Sequence, residues 1–147
     1  MTGTAPQRMA RKPVPEPSAT SWRFWEGCAA GELRLPHCRA CDGVHFYPRS
    51  ACPACGDTDL DWVRSAGTGA VYATTVVHRS FWGDAWADDL PYNVVMIELD
   101  EGVRMVSAVV GVPPDQVHIG MRVGVTFVPR AGSHLPFFQP RDGSGPG

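Results

Sequence analysis

The chain has 147 residues, enough for one ordinary domain or two small ones, and its 44% hydrophobic and 10% aromatic content fits a folded protein with a real core. Its formal net charge of -2 argues against a nucleic-acid module, which needs a basic face, and Lys12 is the sole lysine, so the positive charge is almost all arginine. No stretch is long and apolar enough to span a bilayer, the N-terminus lacks the apolar segment of a signal peptide, and a reduced, cytoplasmic setting is expected.

Residues 1–19, with Pro6, Pro13, Pro15 and Pro17 among scattered basic residues, read as a disordered arm. Residues 20–32 read as an aromatic helix running from Ser21 to Ala30, with Gly31 as its stop. Trp22, Trp25 and Ala29 recur at helical spacing, and Phe24 and Cys28 form a second row. So heavy an aromatic load either packs on the rest of the chain or docks on a partner. Trp22, Phe24 and Trp25 are therefore candidate interface residues. Cys28 is a lone thiol on an apolar face, where cysteine behaves as a small hydrophobe.

Residues 33–65 read as a zinc ribbon. Cys38 and Cys41 form one CxxC pair, Cys52 and Cys55 a second, and ten residues separate them. A two-residue gap lets both thiolates of a pair face one ion, and two pairs complete a closed tetrahedral site. Such a site is structural, with one zinc per chain and no open position for a reacting water. Short strands are expected at Leu33–Pro36, Val44–Tyr47 and Asp59–Ser65. Gly56 is placed for the positive φ of its knuckle, and Asp42 holds the same place in the other. His37 precedes the first ligand, but four cysteines already fill the site.

Ser65–Gly69 reads as a short flexible joint, and residues 66–139 as a five-stranded OB-type barrel. Its strands are expected at 70–79, 92–99, 103–110, 123–128 and 135–139. A hairpin turn falls at Asp100–Gly102 and a helical turn near Pro113–Val117. Residues 140–147 read as a disordered tail. The connection from Ser80 to Pro91 carries Phe81, Trp82 and Trp86, as a recognition element or as a lid on the barrel. His78, at the end of the first barrel strand beside Arg79, is placed to act as acid or base or to contact a thioester or phosphate, but no partnered nucleophile follows it. No phosphate-cradling glycine loop is present.

Taken in order, Phe24-Trp25-Glu26-Gly27, Cys38 with Cys41, Pro48-Arg49, Cys52-Pro53-Ala54-Cys55-Gly56, Gly69-Ala70-Val71-Tyr72, Thr75 to Arg79, Pro91-Tyr92, Glu98 to Gly102 and Ile119-Gly120-Met121 resemble the acyl-CoA-associated zinc-ribbon/OB-fold family, domain of unknown function 35. The resemblance covers about residues 22–139 and departs at Asp42, where glycine is more usual, and in the tryptophan-rich loop 80–91. It implies a mainly β protein made of a short helix, a rubredoxin-like ribbon and an OB barrel. It also implies a non-catalytic accessory subunit of a thiolase-like enzyme: a thiolase, an aldolase acting on steroid side-chain CoA esters, or an acyltransferase. The partner would form a dimer at the centre of a heterotetramer. The barrel would border the acyl-CoA channel through His78, Arg79, Phe81, Trp82 and Trp86. Two other functions stay open at this point: a single-stranded nucleic-acid-binding ribbon/barrel protein, and a free-standing acyl-CoA-binding protein.

Overall fold

The computed structural model describes residues 12–80 and 84–141. The chain runs through one helix, α1 (Trp22–Ala29), then seven strands: β1 (Arg34–Cys38), β2 (Leu60–Arg64), β3 (Thr68–Val77), β4 (Tyr92–Leu99), β5 (Arg104–Ser107), β6 (Arg122–Arg130) and β7 (Ser133–Pro140). Single 3-10 turns lie at Asp84–Asp89 and Pro114–Gln116. Residues 1–11 of the expected arm and 142–147 of the expected tail lie outside the described residues, as do Phe81 and Trp82, while Pro140, expected in the tail, ends β7.

Helix α1 stops where the sequence places its stop. Gly31 adopts φ 81°, Glu32 N donates to Gly27 O (2.8 Å) and Gly31 N donates to Cys28 O (3.2 Å). This is the paired capping pattern that satisfies the last helical carbonyls and needs a left-handed residue after the cap. The helix buries Phe24, Gly27 and Cys28 and leaves Trp22 exposed.

Strands β1 and β2 pair antiparallel, Arg34 opposite Arg64 and Cys38 opposite Leu60, and form the base of the ribbon. The strand expected at Val44–Tyr47 does not form. A single bridge joins Val44 to His37, after which Phe46 and Tyr47 turn away from the ribbon. The joint at 65–69 is pinned rather than flexible. Glu101 accepts from Ser65 Oγ (2.9 Å) and from Ala66 N (2.8 Å), and a β-carbon on Gly67 (φ 76°) would lie 2.6 Å from a Val125 methyl. Only glycine fits that close approach.

The second sheet has the order β5-β4-β3-β6-β7 with every neighbour antiparallel. All five expected barrel strands are present. Strict alternation along β4 sends Asn93, Val95, Ile97 and Leu99 inward, as a half-buried strand requires. β6 and β7 run longer than expected because Ala131 and Gly132, both at positive φ, make a two-residue hairpin turn. The sheet curls until Val109, two residues past the end of β5, meets Phe138 of β7 in a parallel bridge. One apolar core runs through the molecule: Phe24, Leu33 and Leu35 join Val71, Ile97, Val123 and Phe138 in it. Buried Asn93 is satisfied on both sides, accepting from Val109 N and donating to Val109 O, each at 2.7 Å.

Candidate functional site: a tetrathiolate centre and an aromatic groove

The two knuckles bring the sulfurs of Cys38, Cys41, Cys52 and Cys55 within 4.8 Å of one another. Cys38 Sγ lies 3.6 Å from Cys55 Sγ, and Cys41 Sγ lies 3.7 Å from Cys52 Sγ. Thiolates about 2.3 Å from a tetrahedral zinc stand about 3.8 Å apart, so the donor set fits zinc in both chemistry and spacing. Backbone builds each knuckle. In the first, Cys38 N donates to Gly43 O (2.8 Å) and Asp42 N donates to Cys38 O (2.7 Å); in the second, Gly56 N donates to Cys52 O (2.8 Å). Both turns need one left-handed residue, supplied by Asp42 (φ 66°) and Gly56 (φ 82°). Ala54 N donates to Cys52 Sγ (3.3 Å), a contact that favours the ligating thiolate.

His37 is not a ligand. Its imidazole bridges Asp42 Oδ1 and Asp61 Oδ1, each at 2.7 Å, and these contacts, Asp42 first, raise its pKa. The contact with Asp42 explains how a non-glycine residue is held in the left-handed turn. His45 is buried beneath the first knuckle, where desolvation lowers its pKa and keeps it neutral. Cys28 is 1% exposed, and burial pushes its thiol up to about 12, so it is packing and not chemistry.

The second feature is an open groove of about 830 Å³. One wall is aromatic and comes from α1 and the segment between the knuckles: Phe24, Trp25, Phe46 and Tyr47, with ring centroids 4.9 to 6.4 Å apart along the series. The other wall is β4, β5 and β7, with Trp86 leaning on Tyr92 (5.9 Å) at the margin. Arg49, Arg104 and Arg130 stand along it. Arg104 lies 3.7 Å over the ring of Tyr72, and Arg130 lies 5.5 Å from the Trp86 ring.

The residues expected to act therefore separate. Trp25 and Trp86 line the groove, while Trp22 is 44% exposed on the outer side of the helix. Phe24 reaches the groove wall but is 1% exposed and chiefly serves the chain's own core. His78 and Arg79 are exposed and are not part of the groove lining. Sequence reasoning missed the arginines and the Phe46-Tyr47 wall. The available signal is the aromatic pair between two knuckles, whose alternation also fits a strand.

Two family models match consecutive stretches: the ChsH2 rubredoxin-like zinc ribbon domain over residues 25–61 and the ChsH2 C-terminal OB-fold domain over residues 62–128. A protein of Thermomonospora curvata named "Probable enoyl-CoA hydratase alpha subunit" is 38% identical over 119 residues, which is 80% of this chain and 36% of that protein. A DUF35 domain-containing scaffold protein of Methanocaldococcus jannaschii is 35% identical over 91 residues, 61% of this chain and 63% of that one. The chain thus spans about a third of the first relative and under two thirds of the second. Among solved structures, a chain of the Ltp2-ChsH2(DUF35) aldolase superposes with a TM-score of 0.77 at 34% identity, covering 86% of this chain and 98% of that one. The chain belongs to the DUF35 family of ChsH2-type zinc-ribbon/OB-fold proteins.

Proposed function

We propose that this chain is a non-catalytic accessory subunit that docks on a thiolase-like enzyme of acyl-CoA metabolism and stabilises it. The observation that carries this reading is the match, over 98% of its length, to the DUF35 chain of an Ltp2-ChsH2 aldolase. The chemistry agrees. A closed tetrathiolate site holds zinc for folding rather than for catalysis. The molecule displays an open groove of about 830 Å³ walled mainly by aromatic and aliphatic side chains. The reaction then belongs to the partner, whether thiolase, CoA-ester aldolase or acyltransferase. Hydratase activity is not carried over from relatives of which this chain covers only about a third.

In this reading the groove side faces the enzyme and the segment 80–91 borders its acyl-CoA channel. Trp86 stands at the groove margin and offers an apolar wall to an acyl chain, and Arg79 offers charge to a phosphate. Phe81 and Trp82 belong to the same segment of sequence, His78 lies two residues before it, and all three are tested with it. The assembly is a heterotetramer with the enzyme dimer at its centre.

Co-expression with thiolase-like proteins from the same organism, followed by size-exclusion chromatography with light scattering, tests the reading. A complex of two chains of each kind is the expected result. Separate elution of the two proteins at micromolar concentration refutes it. With a complex in hand, Trp86→Ala is expected to raise KM or shift acyl preference without loss of zinc or of assembly. Unchanged constants across several acyl lengths make the segment a lid.

A further inference from the structure

The barrel seam does not close along its whole length. At one end the segment that follows β5 joins β7: Phe138 N donates to Ala108 O (2.9 Å), and Val110 N donates to Phe138 O (2.7 Å). Continuing this parallel ladder two residues back requires an N–H at residue 136 for the carbonyl of Val106. Residue 136 is proline and has none. The ladder stops there, Pro136 O accepts from Ser107 Oγ (2.8 Å) instead, and the groove opens between the two strands.

The same interruption leaves β5 with a free edge. Leu99 N donates to Val103 O (2.8 Å), and the register pairs Ile97 with Met105 and Val95 with Ser107. In an antiparallel pair, residues 103, 105 and 107 then direct their backbone groups to β4, and 104 and 106 direct theirs outward. No backbone partner for Arg104 or Val106 on that outer edge exists among the described residues. Val106 is 63% exposed, an apolar residue on an unpaired edge, where proteins usually place charge or proline. The groove beside it is lined by three arginines and by no aspartate or glutamate, in a chain with more acidic residues than basic ones; Arg104 is paired with Glu98 behind the lining (3.3 Å).

We infer that the groove takes an extended, acidic segment of the enzyme partner, added as a strand along the free edge of β5. This rests on the accessory-subunit reading and names the element of the partner that is bound. Backbone pairing to Arg104 and Val106 supplies affinity, alternate apolar side chains enter between Phe46 and Phe137, and carboxylates meet Arg49 and Arg130. At about 3.3 Å per residue, four or five residues of the partner cover the edge.

The test compares Val106→Pro with Val106→Thr in the full chain, co-expressed with the thiolase-like protein of the same organism that co-purifies with the wild-type chain. Proline removes only the outward N–H, so β4 keeps its hydrogen bonds; threonine keeps the N–H. Zinc content and thermal midpoint report that each variant folds. Val106→Pro is expected to weaken the complex about tenfold or more and Val106→Thr about twofold or less. The amides of Arg104 and Val106, fast to exchange in the free chain, become protected in the complex. A complex that forms while both amides still exchange freely, or that is indifferent to Val106→Pro, overturns this inference alone. Failure of the wild-type chain to form any complex overturns the accessory reading with it. Protection of the same amides in the chain alone as its concentration rises, by palmitoyl-CoA alone, or by a single-stranded oligonucleotide assigns the edge to a second copy, a ligand or nucleic acid, and also overturns it.

Discussion

The knuckle end of the ribbon and the barrel are stabilised by different physics. Between Cys38 and Asp59 the buried side chains are two zinc-ligand cysteines, an imidazole and a proline, with only Val44 and Phe46 partly buried beside the main core. In the barrel, Val71, Val95, Ile97, Leu99, Val123 and Phe138 are each 2% exposed or less and touch one continuous core. The first region is a chemical cross-link with loops around it, and the second is a packed interior. The ribbon base belongs to the second kind, since Leu33 and Leu35 share the barrel's core. The boundary in stability therefore lies at the first cysteine, not at the joint near residue 66, which Glu101 pins.

That difference predicts the largest effect. Cys38→Ser, or a strong chelator, should release the zinc and unfold residues 38–59, because structural zinc contributes on the order of 10 kcal/mol to a fold with nothing else to hold it. Metal analysis should fall from about one zinc per chain to near none, and amide exchange should accelerate in the knuckles while the slow amides of β3, β4 and β6 stay slow. A matched loss in the barrel would erase the boundary drawn here.

The converse substitution is Ile97→Ala, in a side chain that is 0% exposed. It should cost about 2–5 kcal/mol, read from denaturant unfolding, and leave the zinc in place at temperatures where the protein is still folded. Leu35→Ala sharpens the comparison, because it lies in the ribbon strand yet should behave as a barrel mutation.

A smaller stability effect with a large functional one is expected from Trp22→Ala combined with Trp25→Ala. Trp22 is exposed and Trp25 half-buried, so the fold should lose only about 1 kcal/mol. Aromatic anchors commonly dominate an interface, so co-purification with the thiolase-like partner should fall severely. Unchanged co-purification removes the helix from the contact.

The smallest effect is electrostatic. Asp100 accepts from Thr68 Oγ1 and pairs with Arg122 (3.1 Å), and these contacts, Thr68 first, hold its carboxyl below the usual range. A depressed carboxyl contributes its full stabilisation above the unfolded pKa of about 3.9 and loses it as pH falls through the folded value. Asp100→Asn should cost about 0.5 kcal/mol at pH 7 and nothing at acid pH, since the group is half exposed.

These regions also differed in how well the sequence revealed them. The zinc centre was legible because its information is local: two CxxC pairs, with Gly56 and Asp42 at the left-handed positions. The barrel strands were legible from their β-branched alternation, and α1 from Trp22 to Gly31. The groove was not, because it depends on register. Nothing near Pro136 in the sequence says that it lies opposite Ser107 across a parallel seam. Phe46 and Tyr47 looked like strand residues because their alternation fits one. They became a wall because the ribbon offered no strand to pair with beyond the bridge at Val44. Phe24 looked like an interface residue by composition and proved to be core, since α1 packs on β1 and β7.

Counting reactive thiols tests the division between the two regions most directly. The chain has five cysteines, four at the centre and Cys28 in the core with its thiol pushed up to about 12 by burial. Iodoacetamide at pH 8, read by intact mass, should add nothing to the zinc-loaded protein. After chelation it should add four groups, and a fifth only in denaturant strong enough to unfold the barrel. Modification of all five on chelation alone would contradict the account, because it would mean that the metal and the packed core hold one cooperative unit rather than two.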